Sequence, residues 1–194
     1  MADLNKIKYG IKSCFYAKAT ISSTGTATYS TPVALPGAVS ISLDAQGDTT
    51  KFYADNIVYF TTVANNGYEG DLELAKVPDD FLTDCLGFIR DASGVLVEDA
   101  GATPAHFALI FQFEGDVNAK RTVLYNCVAA RPQIAGSTKE ETIEPQTESI
   151  SITATTIYNA VLNKDLVKAS CTETSASAAY NGWLSAVYQT TTTT

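Results

Sequence analysis

The sequence predicts a mainly β protein: an antiparallel β-sandwich or barrel with one internal flanking helix at about residues 78–88 and a C-terminal helix. Three observations lead to this prediction. Apolar and polar residues alternate with period two along much of the chain up to about residue 155. Turn-forming Gly, Asn, Asp and Pro separate the alternating segments. Charged residues make up only 18% of the 194 residues, and the Thr, Ser and Ala that replace them suit sheet faces that are neutral or packed.

Extended segments fill the first third of the chain. In "VSISLDAQ" every second residue is apolar, as expected for a strand with one buried face. The other segments are rich in β-branched and aromatic residues, which favour strands. The predicted segments are residues 9–19, a loop with a short strand in 23–37, then 39–46, 49–56 and 57–64.

The stretch "NNGYEGDLELA" predicts a tight turn followed by a strand with one acidic face. Asn66 and Gly67 tolerate the positive φ angles of a type I′ turn, so they predict a hairpin with the preceding strand. On the return strand the acidic side chains point away from the apolar ones, since the side-chain period is two. The apolar set is Tyr68, Leu72 and Leu74, and the acidic set is Glu69, Asp71 and Glu73. The acidic set is either a solvated sheet face or a functional surface.

A short helix is predicted after this strand. Pro78 suits the first turn of a helix, where its missing N–H costs nothing. Asp79 and Asp80 complement the positive end of the helix dipole, and Gly87 suits the exit. The apolar face consists of Phe81, Leu82, Cys85, Leu86 and Phe88.

The second half of the chain continues with strands. A hairpin-like segment at 91–101 precedes "HFALIFQF", which is apolar on both faces and is therefore expected to lie between two layers. Long strands are predicted in 120–134 and 148–158. The segment 175–188 looks helical, with Trp183 and Leu184 as apolar anchors.

The chain is expected to form one domain over residues 1–189. A polar, Glu-rich connection at 136–148 interrupts the strands, and it is interpreted as a mobile arm or as a loop between subunits. Its candidate inter-subunit residues are Lys139, Glu140, Glu141 and Glu144. The threonines of 190–194 form a low-complexity tail that is expected to be disordered.

Charge and targeting signals limit the possible partners. The formal net charge is −8 and basic residues are scattered, so tight binding to nucleic acid is not expected. An acidic surface repels phosphate instead. The N-terminus lacks the apolar run and the cleavage site of a signal peptide, and no stretch reaches the roughly 20 apolar residues that span a bilayer. We therefore expect synthesis and folding in a cytoplasm, with no membrane anchor.

The sequence offers little for catalysis. The one histidine, His106, begins an apolar strand and is expected to be structural. No nucleophile elbow, phosphate-binding glycine loop or metal-ligand spacing is present, so no enzyme activity, metal or cofactor is predicted. Capping explains the pair Asp79 and Asp80 better than acid–base chemistry does. The four widely spaced cysteines read as small buried hydrophobes, although spacing alone does not exclude a disulfide.

The order of several segments resembles a known family, the major tail proteins that form the tail tube of long non-contractile-tailed bacteriophages. The resemblance rests on five segments and covers roughly residues 9–155. They are "YGIKSCFYAKAT" with Gly10 to Ala17, "TPVALPGAVSISLD" at 31–44, "KFYADNIVYFTT" at 51–62, the strand-to-helix unit at 67–88, and "GVLVED" with "FALIFQF".

The resemblance implies a structural virion protein without enzyme activity. Subunits of this family form rings, expected to be hexamers, by joining their sheets into an inner β-barrel. The rings stack into a tube that conducts double-stranded DNA without binding it specifically. The implied partners are further copies of the chain and the tape measure, tail tip and tail terminator proteins, with assembly in the bacterial cytoplasm. Glu69, Asp71 and Glu73 are then candidate lumen-facing residues, and the helix that follows them is expected to brace the sheet from outside.

Two other functions remain open at this point. One is a binding or adhesion module with a β-sandwich fold, in a phage tail or another surface structure. The other is a related tube that passes protein rather than DNA. Fold alone does not decide between them, because unrelated functions share such folds.

Overall fold

The computed structural model describes residues 9–115, 119–138 and 145–191. The candidate arm residues Lys139, Glu140, Glu141 and Glu144 lie outside the described residues. The strands are β1 (Tyr9–Ile21), β2 (Ala27–Tyr29), β3 (Val33–Ala34), β4 (Ala38–Gln46), β5 (Thr49–Ala54), β6 (Ile57–Val63), β7 (Gly67–Leu74), β8 (Ile89–Arg90), β9 (Leu96–Val97), β10 (Phe107–Glu114), β11 (Arg121–Ala129), β12 (Glu148–Thr155), β13 (Ile157–Asn159), β14 (Lys164–Leu166) and β15 (Lys168–Cys171). The helices are α1 (Asp79–Leu86) and α2 (Ser177–Gly182).

A nine-stranded antiparallel sheet organises the chain, with the order β2-β1-β10-β11-β12-β7-β4. Strand β11 divides one of its edges between two partners. Its first half, Arg121 to Leu124, pairs with β15, and its second half, Asn126 to Ala129, pairs with β12. The sheet therefore separates at β11 into two layers, which is how one sheet can produce a sandwich.

The sandwich has apolar packing on both faces of its central strand, as the sequence predicted for "HFALIFQF". Phe107, Leu109 and Phe111 of β10 enter the core between the layers, the first core. Ala108 and Ile110 enter a second apolar cluster on the opposite face, the second core. Both sets are buried, so this strand lies between two layers of side chains.

The barrel alternative is not realised in the described residues. Strand β4 ends the strand order and pairs with β7, and no hydrogen bonds join it to β1. A recess lined by Tyr9, Ile11, Val39, Ile41 and Phe113 separates the two strands. The fold is thus an open antiparallel β-sandwich.

Helix α1 closes the first core. It begins after Pro78, which occupies the N-cap position with extended backbone angles. It ends at Gly87, whose φ of 76° is the left-handed conformation that glycine adopts without steric cost. Phe81 is fully buried and meets the rings of Tyr16 and Phe107 edge to face, at centroid distances of 5.1 and 5.4 Å. The predicted flanking helix is confirmed.

The C-terminal segment covers the second core. The predicted helix is present but shorter than expected, since α2 ends at Gly182 and Trp183 follows it. Trp183 is buried and stacks on Tyr188 at 4.9 Å. Arg121 holds α2 to the sheet, because its guanidinium lies 3.9 Å from the ring centroid of Tyr180 and also donates a hydrogen bond to the Tyr180 carbonyl.

The predicted hairpin turn at Asn66–Gly67 is wrong. The hairpin turns instead at Asp55–Asn56, where both residues have positive φ, and it joins β5 to β6. Gly67 starts β7 and pairs with Gln46 of β4. A Cβ atom at Gly67 would lie 1.9 Å from the Ala154 carbonyl oxygen. This glycine therefore serves close strand packing, and the Asn-Gly pair only resembles a turn signal.

Candidate functional site, an acidic face on three strands

Three neighbouring strands form an outer face whose acidic residues lie on β7 and β4 and whose third strand, β12, contributes hydroxyl groups. The acidic residues of β7 alternate with residues that enter the first core, and Leu72 and Leu74 are fully buried there. The face consists of three rows across the strands, and we call it the acidic face. Its rows are Ser40–Glu73–Ser149, Ser42–Asp71–Ser151 and Asp44–Glu69–Thr153.

Hydroxyl groups flank the carboxylates in these rows. Ser40 Oγ donates to Glu73 Oε2 at 2.8 Å, and Ser151 Oγ donates to Asp71 Oδ1 at 2.6 Å. Thr147, just before β12, donates to the other oxygen of Glu73. Neutral donors of this kind fix the orientation of a carboxylate without cancelling its charge.

Glu73 accepts a hydrogen bond at each of its two carboxylate oxygens. The hydrogen bonds from Thr147 and Ser40 lower its pKa below the usual value, because both stabilise the ionised form. Its side chain therefore stays negative at neutral pH. None of the side chains in the three rows is basic, so the face presents an uncompensated negative potential.

The structure places Glu69, Asp71 and Glu73 together as the sequence predicted, and it adds residues that sequence reasoning missed. Asp44 enters the same face from β4, directly opposite Glu69. The serines and threonine of β12 complete it on the other side. The signal was available, since "VSISLDAQ" and "ESISITAT" both alternate apolar and hydroxyl residues, but only strand pairing shows that they flank β7.

The other candidate groups have structural roles. His106 Nδ1 donates to Asn126 Oδ1 at 2.7 Å, and Asn126 Nδ2 donates to Thr155 Oγ1 and to the Thr156 carbonyl, each at 2.9 Å. Asp79 and Asp80 lie 3.7 Å from the guanidinium of Arg90. These contacts tie loops and strands together.

The four cysteines, Cys14, Cys85, Cys127 and Cys171, are buried free thiols, so the disulfide alternative is not realised. Burial raises the pKa of Cys14 to about 12 and that of Cys85 to about 12, because a thiolate loses its hydration there. Both remain protonated and unreactive at neutral pH.

Within the described ranges, clusters of metal-ligating side chains and bilayer-spanning helices are both absent. No group of three or more His, Cys, Asp or Glu side chains is arranged to hold a metal ion. The helices formed there are short, and none meets the length and hydropathy that a bilayer-spanning helix requires.

The chain is similar to a family of known proteins. The family model described as phage tail tube protein matches residues 3–179, which is most of the chain. No curated protein matched. The matched range includes the whole acidic face, the first core and α1, and it ends just before Tyr180. Members of this family are structural components of the virion, not enzymes. The chain therefore belongs to the phage tail tube protein family.

Proposed function

We propose that this protein polymerises as stacked rings, with six subunits each, into the tube of a long non-contractile tail, and that the acidic face lines the lumen through which double-stranded DNA is ejected. The observation that carries the proposal is the acidic face. Its three rows contain no basic side chain, and it lies on strands at the open end of the sheet. Membership of the tail tube family supports polymerisation into a tube.

The strand order supports the proposed closure of a ring. Strand β4 pairs with β7 on one side, and its other side carries no strand among the described residues. At the opposite end of the order, β2 and β3 flank β1. Exposed strand edges are templates for pairing with another chain. Pairing edge to edge around a ring would satisfy both ends and produce a closed inner barrel.

A negative lumen suits passage of DNA. Phosphate and carboxylate repel each other over about one Debye length, ~8 Å at physiological salt. The serine and threonine hydroxyls add a wetted, uncharged surface between the carboxylates. DNA would therefore slide past the wall with water and counterions between them, and no sequence-specific contact would form.

The other proposed partners are the proteins with which a tube subunit assembles in a phage tail. We expect the tube to form in the bacterial host cytoplasm around a tape measure protein, to start at the tail tip complex and to stop at a tail terminator protein. The connection at 136–148, with Lys139, Glu140, Glu141 and Glu144, is proposed to contact a neighbouring subunit. Residues 1–189 are proposed to act as one domain, and the last three of the threonines at 190–194 lie outside the described residues.

The first experiment is negative-stain electron microscopy of concentrated protein, beside its mass in solution by light scattering. Six-fold rings or hollow tubes would support the proposal. A monomer that also fails to polymerise on purified tail tip complexes would contradict it. In that case glycan and cell-surface binding would test an adhesion module instead.

A further inference from the structure

We propose that a recess at the edge of the second core binds the ring of a neutral saccharide. The recess lies between β2, the β13–β14 hairpin and the segment after α2, and its volume is about 160 Å³. Its walls include Tyr29, Tyr125, Tyr158, Asn159 and Gln189. Polymerisation into a tube does not require such a site, so saccharide binding would be a second function of the subunit.

Hydrogen bonds within the protein hold two walls of the recess in place. Tyr29 Oη donates to the Tyr125 carbonyl at 3.0 Å. Asn159 Oδ1 accepts a hydrogen bond of 2.9 Å from the backbone N–H of Leu162. This contact orients the Asn159 side chain and leaves its NH₂ group as a donor. A site whose walls are fixed before binding loses little conformational entropy when a ligand enters.

The hydroxyl of Tyr125 points to a ligand with hydrogen-bond acceptors. Tyr125 is only 2% exposed, and its hydroxyl has no hydrogen-bond partner among the described residues. Burial raises the pKa of Tyr125, because a phenolate would lose its hydration there, so the hydroxyl keeps its proton. A buried polar group without a partner costs free energy. A ligand oxygen that accepts a hydrogen bond from this hydroxyl would remove that cost.

The lining selects a neutral ring that carries hydroxyl groups. None of the described residues that line the recess is charged, which disfavours phosphates, uronic acids and amines. The tyrosine rings and Ile157 offer apolar surface to the C–H face of a sugar. Asn159 and Gln189 carry amides that bond to hydroxyl groups. A purely apolar ligand would leave these polar groups unpaired.

The size of the recess limits its occupant to about one ring. Drug-sized ligands occupy pockets of about 300–1,000 Å³, whereas a cavity of about 150 Å³ accommodates benzene, a single six-membered ring. The recess is close to the second value. The exposed residues Ala160 and Val161 belong to its lining, so the recess opens to solvent beside them. The next unit of a saccharide chain can therefore remain outside.

The recess lies on the opposite side of the subunit from the acidic face. That face is the outer surface of the layer formed by β4, β7 and β12, and the first core lies beneath it. Ala108 and Ile110 point from the other side of β10 into the second core, where Tyr29, Tyr125 and Ile157 also pack. With the acidic face on the lumen, the recess is on the outside of the tube. Only this location rests on the proposed function, and the binding itself does not.

Saccharide binding by the purified subunit is the first test. The probes are the methyl glycosides of glucose, galactose, rhamnose and N-acetylglucosamine, measured by saturation-transfer NMR and by titration of the protein's amide signals. At least one is expected to bind with a Kd on the order of 1 mM, typical of a ligand with about a dozen non-hydrogen atoms. The amide signals of 157–161 should shift. No binding by any of the four at about ten times that concentration would overturn the proposal and leave a recess that holds water only.

Two pairs of variants locate the binding site. A160W places an indole at the mouth of the recess and is expected to abolish binding, and the matched control is A92W, at an exposed alanine in the turn between β8 and β9. Q189A removes one amide and is expected to weaken binding roughly two- to tenfold. Its control is Q133A, at an exposed glutamine outside the recess, which should bind like the wild type.

The variant Y125F tests the unpaired hydroxyl. It removes no hydrogen bond between the hydroxyl and the described residues, so the protein should be no less stable to urea than the wild type. Affinity for the saccharide should fall by about fivefold, because the ligand loses a donor. Wild-type affinity in Y125F, Q189A and A160W alike would place the binding elsewhere and refute the proposal.

Assembled tubes distinguish a failure of this proposal from a failure of the proposed function. Tubes are expected to bind the same saccharide as the free subunit, because the recess stays on the outside. Loss of binding on assembly would show that the recess faces another subunit and would overturn its location. A subunit that binds saccharide but never forms tubes would support the site and contradict the proposed function. Tubes and free subunits that both fail to bind would do the reverse.

Discussion

Ser151 Oγ donates a hydrogen bond of 2.6 Å to Asp71 Oδ1, from β12 to the neighbouring strand β7. The contact places a neutral donor beside a carboxylate on an exposed sheet face. Glu73 repeats the arrangement with Ser40 and Thr147. The acidic face is therefore both held by hydrogen bonds and negatively charged, which suits the lumen wall proposed above.

Reversal of this charge is the first prediction. The triple variant E69K/D71K/E73K is expected to assemble normally, since these side chains point away from the first core, but to slow DNA ejection, because lysines bind phosphate and release counterions. The measurement is the rate of DNA release from triggered virions, at two salt concentrations. The neutral variant E69Q/D71N/E73Q is the control and should fall between the triple lysine variant and the wild type. Ejection at the wild-type rate in the lysine variant would refute the lumen assignment.

The second prediction concerns the titration of Glu73. Removing both donors in S40A/T147V is expected to return the pKa of Glu73 upward, toward its ordinary value, because the ionised form loses its hydrogen bonds. A carboxyl with a depressed folded-state pKa stabilises the fold above its unfolded pKa, and this contribution disappears as the pH falls through the folded value. At neutral pH the variant should therefore be slightly less stable than the wild type, and this difference should disappear as the pH falls through the pKa of Glu73 in the folded wild type. Carboxyl chemical shifts of Glu73 across a pH titration provide the measurement. An unchanged midpoint would mean that the two hydroxyls do not stabilise the ion.

The third prediction concerns α1. Replacing Phe81 by Ala is expected to reduce the free energy of unfolding by about 3–5 kcal/mol, because it removes a fully buried ring and leaves a cavity beside Tyr16 and Phe107. Urea unfolding measures the change. Phe81→Leu keeps most of the volume and should cost clearly less. Equal losses in the two variants would show that the cavity is not the cause.

The fourth prediction concerns the cysteines. In the folded protein a thiol reagent is expected to react slowly or not at all, since Cys14 and Cys85 are buried and their pKa values are raised to about 12. In denaturant all four should react rapidly. Absorbance during reaction with an aromatic disulfide follows both rates. Fast modification of the native protein would show that one of these sites opens to solvent.

Local patterns were sufficient to predict much of the fold. The two-faced apolar pattern of β10 correctly indicated layers on both sides, and Pro78 with Gly87 bracketed α1 to within a residue or two. These signals succeed because each reports a physical requirement of its own segment: burial on both faces, a missing donor, or a left-handed cap.

The failures come from long-range pairing. Asn66–Gly67 satisfies the chemistry of a tight turn, yet Gly67 is needed where β7 approaches Ala154, and the turn lies at Asp55–Asn56. Asp44 was visible in its own strand, but only the register of β4 against β7 places it beside Glu69. A strand pattern shows which face a side chain takes, and it does not show which strand will lie next to it.

The divided edge of β11 determines how force passes through the subunit. Because β15 and β12 both hydrogen-bond to this one strand, the two layers of the sandwich share β11, and sliding one past the other would break hydrogen bonds to it. A load that slides one layer against the other would therefore fall on the hydrogen bonds of β11.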